Sequence, residues 1–157
     1  MYKVLFVCTG NICRSPTAEG VFRHRIESAG LSDRIATDSI GTGSWHVGDP
    51  PDPRAVAAAE ARGYDLTPLR GRQLRHDDFT DFDLLLAMDK GHYEHLVDRC
   101  PPDNLSRIRL FLELVPETGR TIVPDPYFGD MSDYELSLDL IETGTRAWLD
   151  HLRTKIA

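Results

Sequence analysis

Four short, largely apolar segments alternate with stretches in which apolar residues recur at helical spacing. They cover residues 3–8, 35–39, 84–88 and 108–112, and their length is typical of strands. The first and third segments are almost continuously apolar, a pattern typical of strands buried on both faces of a sheet. We therefore predict four strands, the first of which ends at Cys8.

The segments between these strands carry the start and stop signals of helices. Ser15 and Pro16 predict the N-cap and the first residue of a helix that ends at Gly30. Asp52 and Pro53 predict the start of a second helix in the same way. A last helix is predicted from one apolar face, formed by Tyr134, Leu138, Ile141, Trp148, Leu152 and Ile156.

Two groups of polar residues predict the start of the last helix and a basic surface. Ser132 and Glu135 have the spacing of a capping box, which predicts where the last helix begins. The polar residues 64–76 include three arginines, for which a solvated basic face is favoured over a role in substrate binding. These arginines are Arg70, Arg72 and Arg75.

Strands that alternate with helices, without hairpin signals, predict an α/β fold. We expect a parallel four-stranded sheet with helices on both faces, forming a single domain over residues 1–157. Ligands of such folds bind at the carboxyl ends of the strands. Cys8, Ser39 and Asp89 all fall at such ends.

Net charge narrows the classes of binding partner, and cysteine content indicates the cellular compartment. The net charge of −7 over 157 residues argues against a general affinity for nucleic acid or an anionic membrane. The N-terminal residues enter the first strand directly, so we expect no signal peptide, and no apolar run approaches a membrane span. An odd number of cysteines, three, predicts a reduced, cytoplasmic protein rather than a disulfide scaffold.

The candidate chemistry lies in the loop after the first strand. This loop reads Cys8-Thr9-Gly10-Asn11-Ile12-Cys13-Arg14-Ser15. Its backbone N–H groups and the N-terminus of the next helix would form a cradle that favours a phosphate. Arg14 can hold two phosphate oxygens at once, and Gly10 permits a backbone conformation that other residues resist. Cys8 alone would be read as a buried structural thiol, but this positive field favours its thiolate and hence a nucleophile.

The loop, the Pro16 that follows it and the later Asp125-Pro126-Tyr127 resemble the low-molecular-weight protein tyrosine phosphatases. The resemblance covers essentially the whole chain, because length, loop position and acid position agree. It implies hydrolysis of phosphotyrosine through a cysteinyl-phosphate, with no metal or other cofactor. It also implies a phosphotyrosine-containing protein as substrate, and a tyrosine kinase is one candidate.

Asp125 is the candidate general acid, because a departing tyrosine oxygen needs a proton. Three Asp-Pro pairs occur in the chain, beginning at Asp49, Asp52 and Asp125, and each is also compatible with an ordinary turn. The resemblance selects Asp125, through the residues that follow it. Ser15 can donate to the sulfur of Cys8 and aid its departure, in addition to any role as a helix cap.

Aromatic residues on two loops are predicted to form the walls of a cleft above Cys8. Trp45 follows the second strand, and Tyr127 and Phe128 follow the candidate acid. The alternative is that these aromatic side chains pack the loops against the body of the protein. If they are walls, the cleft suits a phenyl ring and is too deep for phosphoserine.

Support of the loop is expected from Asn11 and Ser39, as implied by the resemblance. In the family, an asparagine and a serine at these places share a hydrogen-bond network with a histidine. Leu69 stands where that histidine is expected, which suggests a shorter network. His92 and His95 are spaced to share a helix face over residues 92–97, where a surface helix is favoured over a metal site.

Three alternative functions remain open at this point. An arsenate reductase on the same fold would need two cysteines beyond the loop, and Cys100 is the only one. A phosphoarginine phosphatase often has threonine where Ile12 stands. A phosphate-binding module without turnover would not need the nucleophile, the arginine and the acid together.

Overall fold

In the part of the chain that the structure describes, four parallel strands form one sheet in the order β2-β1-β3-β4. The computed structural model describes residues 1–156, in which β1 is Tyr2–Cys8, β2 Ile35–Gly41, β3 Leu84–Ala87 and β4 Ile108–Leu110. The chain leaves β1 towards one edge of the sheet and leaves β3 towards the other. The carboxyl ends of β1 and β3 therefore border the crevice in which ligands of such folds bind.

Within residues 1–156, five α-helices cover the sheet; they lie on both faces, as predicted, although the short third helix was not predicted. They are α1 Arg14–Ser28, α2 Pro53–Glu60, α3 Asp78–Asp81, α4 Lys90–Arg99 and α5 Met131–Ile156. Alternate residues of β1 point to opposite faces. Val4 and Phe6 pack in the apolar cluster that contains α1, α2 and α5, whereas Leu5 and Val7 pack in the cluster that contains α3 and α4. None of the helices within residues 1–156 is long and apolar enough to cross a membrane.

Two predicted helix starts are wrong. Helix α1 begins at Arg14, after Cys13, so Ser15 lies inside the first turn and is not the N-cap. At α5 the Oδ1 atom of Asp130 accepts from the Ser132 amide, and the Asp130 amide donates to Asp133. The short carboxylate side chains of Asp130 and Asp133 thus replace the predicted capping box of Ser132 and Glu135.

Other boundaries shift modestly. Asp52 caps α2 as predicted, through its bond from the Arg54 amide. Asp89 caps α4 by accepting from the His92 amide, which extends that helix beyond the predicted 92–97. Leu112 lies in a 3₁₀ turn, Phe111–Leu114, rather than in β4. Further 3₁₀ turns span Pro102–Arg107 and Pro116–Thr118, and the connection to α5 is otherwise irregular.

The basic stretch is not a uniform solvated face. Arg70 and Arg75 are exposed, but the guanidinium of Arg72 bonds to both carboxylate oxygens of the fully buried Asp78 and to Asp38. A buried carboxylate needs such a paired charge. The prediction was therefore wrong for Arg72, whose side chain ties the segment to Asp38 of β2.

Candidate active site

The loop between Cys8 and Arg14 folds back over the carboxyl end of β1. Asn11, rather than Gly10, adopts the left-handed backbone, with φ 57°, a conformation that asparagine tolerates better than most residues. Gly10 instead leaves room for the His46 ring, because a Cβ on Gly10 would lie 3.0 Å from its Cδ2. At Gly41 of β2, a Cβ would lie 2.8 Å from the Thr9 carbonyl oxygen, so this close approach of two backbones requires glycine.

The Cys8 thiol lies at the floor of a cleft beside a buried hydroxyl. The Ser15 Oγ is 2.9 Å from the Cys8 Sγ, and both residues are buried. The Asn11 side-chain amide donates to Ser15 Oγ at 2.8 Å, which leaves the hydroxyl hydrogen free to point at the sulfur or at the Ile40 carbonyl. Ser15 is thus an oriented donor for a sulfur anion.

Asn11 is the centre of the network that supports the loop. Its amide also donates to the Ser39 Oγ at 2.9 Å, and its Oδ1 accepts from the Arg72 amide. Ser39 in turn donates to the buried Glu19 at 2.7 Å. All of the hydrogen-bonding groups of the Asn11 side chain are therefore used without a histidine. Leu69 packs instead against the apolar cluster beside α1.

Arg14 is buried, and its guanidinium is fixed by two hydrogen bonds. Its Nη1 donates to the Asp89 carboxylate at 2.9 Å and to the Val123 carbonyl at 3.0 Å. Burial opposes the charged form of Asp89, but the His92 amide and the Arg14 charge hold the pKa of that carboxyl below its usual value. The Nη2 atom of Arg14 lies 3.5 Å from Asp125, so the guanidinium faces the cleft on that side.

Asp125 lies on the irregular connection before α5. The Val123 amide bonds to the Met88 carbonyl at 2.8 Å, which fixes this connection to the end of β3. Pro126 is buried, whereas the Asp125 side chain is exposed at the cleft. Arg54, which no sequence signal indicated, donates to the Tyr127 carbonyl at 2.9 Å and lies over the rings of Tyr127 and Tyr134. The loop that carries Asp125 is thus held at both ends.

Aromatic side chains from two loops line the same cleft as Cys8. The cleft is lined by Cys8, Thr9, Gly10, Ile12, Cys13, Arg14, Trp45, His46, Asp125, Tyr127 and Phe128. Trp45 is 74% exposed and Phe128 93% exposed, so much of each side chain is open to solvent, although the Trp45 indole also lies against Gly43 of its own loop. The Tyr127 and Phe128 rings are in edge contact, with centroids 4.9 Å apart. Apolar surface at the mouth and charge at the floor suit an aryl phosphate.

Two further side chains at the site are buried. Burial raises the pKa of the Cys13 thiol to about 12, and this thiol lies 3.5 Å from the Tyr134 hydroxyl. His92 is buried, not on a surface helix face, and its Nε2 is 2.8 Å from the Thr9 Oγ1. Among residues 1–156, no group of three or more His, Cys, Asp or Glu side chains is placed to hold a metal ion.

Comparison with known families gives a match over nearly the whole chain. The sequence profile of the low molecular weight phosphotyrosine protein phosphatase family matches residues 3–157. A low molecular weight protein-tyrosine-phosphatase of Streptomyces coelicolor is 40% identical, over 99% of this chain and 96% of its own. A low molecular weight phosphotyrosine protein phosphatase of Schizosaccharomyces pombe is 44% identical over 81% of each chain.

Solved structures agree with this sequence relationship. A protein tyrosine phosphatase from Entamoeba histolytica superposes with a TM-score of 0.95 at 35% identity, covering 99% of each chain. YfkJ from Bacillus subtilis superposes with a TM-score of 0.94 at 36% identity, covering 100% of this chain and 98% of its own.

Proposed function

The chain belongs to the low molecular weight phosphotyrosine protein phosphatase family, and we propose that it hydrolyses phosphotyrosine in proteins through a cysteinyl-phosphate. The observation that carries this proposal is the shared cleft, in which a cysteine, an arginine and an aspartate converge below aromatic walls. The proposed catalytic residues are Cys8, Arg14 and Asp125.

In the first step, the Cys8 thiolate attacks phosphorus in line with the tyrosine oxygen. The S–P bond forms as the P–O bond breaks, and Asp125 gives its proton to the departing phenolate. Arg14 and the amide groups of residues 9–15 bind the three equatorial oxygens, whose charge they neutralise.

In the second step, water replaces the sulfur. Asp125, now a carboxylate, removes a proton from water as that water attacks phosphorus. The S–P bond breaks and the electron pair returns to Cys8 as a thiolate. The hydroxyl of Ser15, 2.9 Å from that sulfur, stabilises the returning charge. Inorganic phosphate then leaves, and the enzyme is restored.

The proposed specificity follows from the lining of the cleft. Trp45, Tyr127 and Phe128 line the same cleft as Cys8 and Arg14. A phenyl ring would lie between these aromatic side chains with its phosphate at Cys8, whereas a serine side chain is too short to span the same distance. Ile12 also lines the cleft and offers no hydrogen bond to a guanidinium, which disfavours phosphoarginine.

Arsenate reduction is disfavoured by the position of the third cysteine. Cys100 follows α4, a helix of 10 residues whose other end is Asp89 beside Arg14. A helix of that length spans about 15 Å, so Cys100 is not placed to receive a disulfide from the loop.

We further propose that residues 1–157 act as one phosphatase domain in the cytoplasm. The three cysteines of the chain carry free thiols, and the reaction needs Cys8 reduced. A phosphorylated tyrosine kinase fits the same substrate class, because the cleft addresses the phosphotyrosine side chain.

The test is phosphate release from matched peptides that contain phosphotyrosine, phosphoserine or phosphoarginine, with arsenate reduction measured in parallel. We expect kcat/KM for phosphotyrosine to exceed the others by at least about a hundredfold, or about 2.7 kcal/mol. Equal turnover of phosphoserine, faster turnover of phosphoarginine, or arsenate reduction would overturn the proposal.

A further inference from the structure

His92 connects two parts of the site that are far apart in sequence. Its Nε2 lies 2.8 Å from the Oγ1 of Thr9, the residue that follows Cys8. Its Nδ1 lies 3.2 Å from the Oδ1 of Asp89, and the other oxygen of Asp89 binds Arg14 at 2.9 Å. The imidazole is only 4% exposed, so its polar contacts are with these side chains and not with solvent.

The neighbours select one tautomer of this ring. A carboxylate only accepts hydrogen bonds, so a proton on Nδ1 is favoured next to Asp89 and a lone pair there is not. The Nδ1 atom makes no aligned hydrogen bond within residues 1–156, yet it remains in the field of that carboxylate. With the proton on Nδ1, the Nε2 atom accepts from the Thr9 hydroxyl, which commits that hydroxyl to one direction.

Thr9 is therefore held from two sides. Its carbonyl accepts from the Gly43 amide at 3.0 Å, on the side of β2, and its hydroxyl contacts His92 on the side of β3. The amide of Thr9 belongs to the loop that is proposed to bind phosphate. A shift of Thr9 would move this amide and the adjoining Cys8.

We propose that His92 is a positioning residue, which fixes the phosphate loop through its contact with Thr9. This inference rests on the proposed roles of Cys8 and Arg14. His92 does not line the cleft, so it acts on the site through its contact with Thr9.

The charges around His92 keep the ring neutral for this role. Burial and the positive charge of Arg14 lower the pKa of His92 to about 4, against the opposing carboxylates of Asp89 and Asp125. His95, one turn along α4, adds to the lowering. A neutral ring leaves Nε2 free to accept, whereas a protonated ring would have to donate to Thr9.

The test is a double-mutant cycle between Thr9 and His92. Inorganic phosphate affinity is measured by calorimetry, and kcat/KM with an aryl phosphate. We expect His92→Leu and Thr9→Val each to weaken phosphate binding about tenfold, or about 1.4 kcal/mol. The double variant should be no worse than His92→Leu alone. His92→Gln, whose amide can reach Thr9, should recover most of the loss.

The control is His95→Leu on the same helix, which should leave both quantities unchanged. In the ¹⁵N spectrum, His92 should show a protonated Nδ1 and no titration above about pH 5, and Thr9→Val should shift its Nε2 resonance. Additive effects in the cycle, or phosphate affinity within twofold of wild type for both single variants, would overturn the inference. Thr9→Val is nearly isosteric, so its phosphate affinity still tests the inference if His92→Leu does not fold.

Phosphate binding needs no turnover, which separates the two proposals. A wild-type protein that binds phosphate but hydrolyses no phosphotyrosine would contradict the proposed function and leave the cycle interpretable. If the wild-type enzyme hydrolyses phosphotyrosine but the Thr9 and His92 variants bind phosphate as tightly as wild type, only this inference is contradicted.

Discussion

The Ser15 hydroxyl lies 2.9 Å from the Cys8 sulfur, and both side chains are shielded from water. Ser15 was predicted to be a helix cap, but it lies within the first turn of α1, and Asn11 orients its oxygen. A donor fixed in this way stabilises sulfur most when the sulfur carries a full negative charge, as it does when it leaves phosphorus.

We therefore predict that Ser15→Ala slows breakdown of the intermediate more than its formation. kcat should fall by about ten- to a hundredfold, or about 1.4 to 2.7 kcal/mol, and the covalent intermediate should accumulate. A rapid-quench experiment measures the burst of released phenol. Thr145→Ala, which removes a buried hydroxyl on α5, should keep wild-type kinetics. Loss of the burst in Ser15→Ala would place the effect on the first step instead.

For Asp125→Asn, we predict a rate loss that depends on the leaving group. Aryl phosphates with poor leaving groups need the proton, so they should lose far more than those with good ones. The measurement is kcat/KM over a series of substituted phenyl phosphates. Asp49→Asn, which also precedes a proline, should keep the wild-type dependence. An equal loss across the series would move the acid role to another residue, with Asp89 next.

Replacement of Trp45 tests the walls of the cleft. Trp45→Ala should raise KM for phosphotyrosine peptides about tenfold, because an exposed indole that stacks on the substrate ring is lost. Inhibition by inorganic phosphate should stay nearly unchanged, since phosphate binds at the floor. Val47→Ala, on the same exposed loop, is the control. An equal loss of phosphate inhibition would mean that Trp45 supports the loop rather than the substrate.

The pH dependence of stability should report on His92. Its pKa is about 4 in the folded protein and about 6.5 when unfolded, so between these values the unfolded state binds more protons. The contribution to the free energy of unfolding is therefore complete above pH 6.5 and is lost as pH falls towards 4, by about 3 kcal/mol.

In His92→Gln this dependence should disappear. Urea unfolding between pH 4 and 7.5 should show a variant less stable than wild type at pH 7 but with a flatter loss towards acid. Parallel curves for the two proteins would contradict a neutral, buried His92.

Much of this site follows from signals that are local in sequence. Cys8 and Arg14 lie on one loop between a strand and a helix, and their spacing needs no tertiary contact to be recognised. The parallel direction of the strands could be anticipated, because alternating strands and helices favour a parallel sheet. Trp45 and Phe128 could be placed near Cys8 because their loops were expected at the carboxyl ends of the strands, where Cys8 also lies.

What the sequence did not indicate depends on contacts between distant segments. Thr9 and His92 are separated by 83 positions, and Arg54 meets the Tyr127 carbonyl across 73. The buried pairing of Arg72 with Asp78 was likewise hidden, since a run of arginines usually marks a solvated surface. Such pairings depend on how α2, α4 and the loops pack.

The most direct test of the account is detection of phosphate on Cys8. Wild-type enzyme quenched in acid during turnover of a phosphotyrosine peptide should carry one phosphoryl group on the peptide that contains Cys8, as seen by mass spectrometry. Cys8→Ser should carry none and turn over essentially no substrate, yet bind inorganic phosphate with near wild-type affinity. Turnover by Cys8→Ser at even a tenth of the wild-type rate, a change of only about 1.4 kcal/mol, would contradict the covalent mechanism.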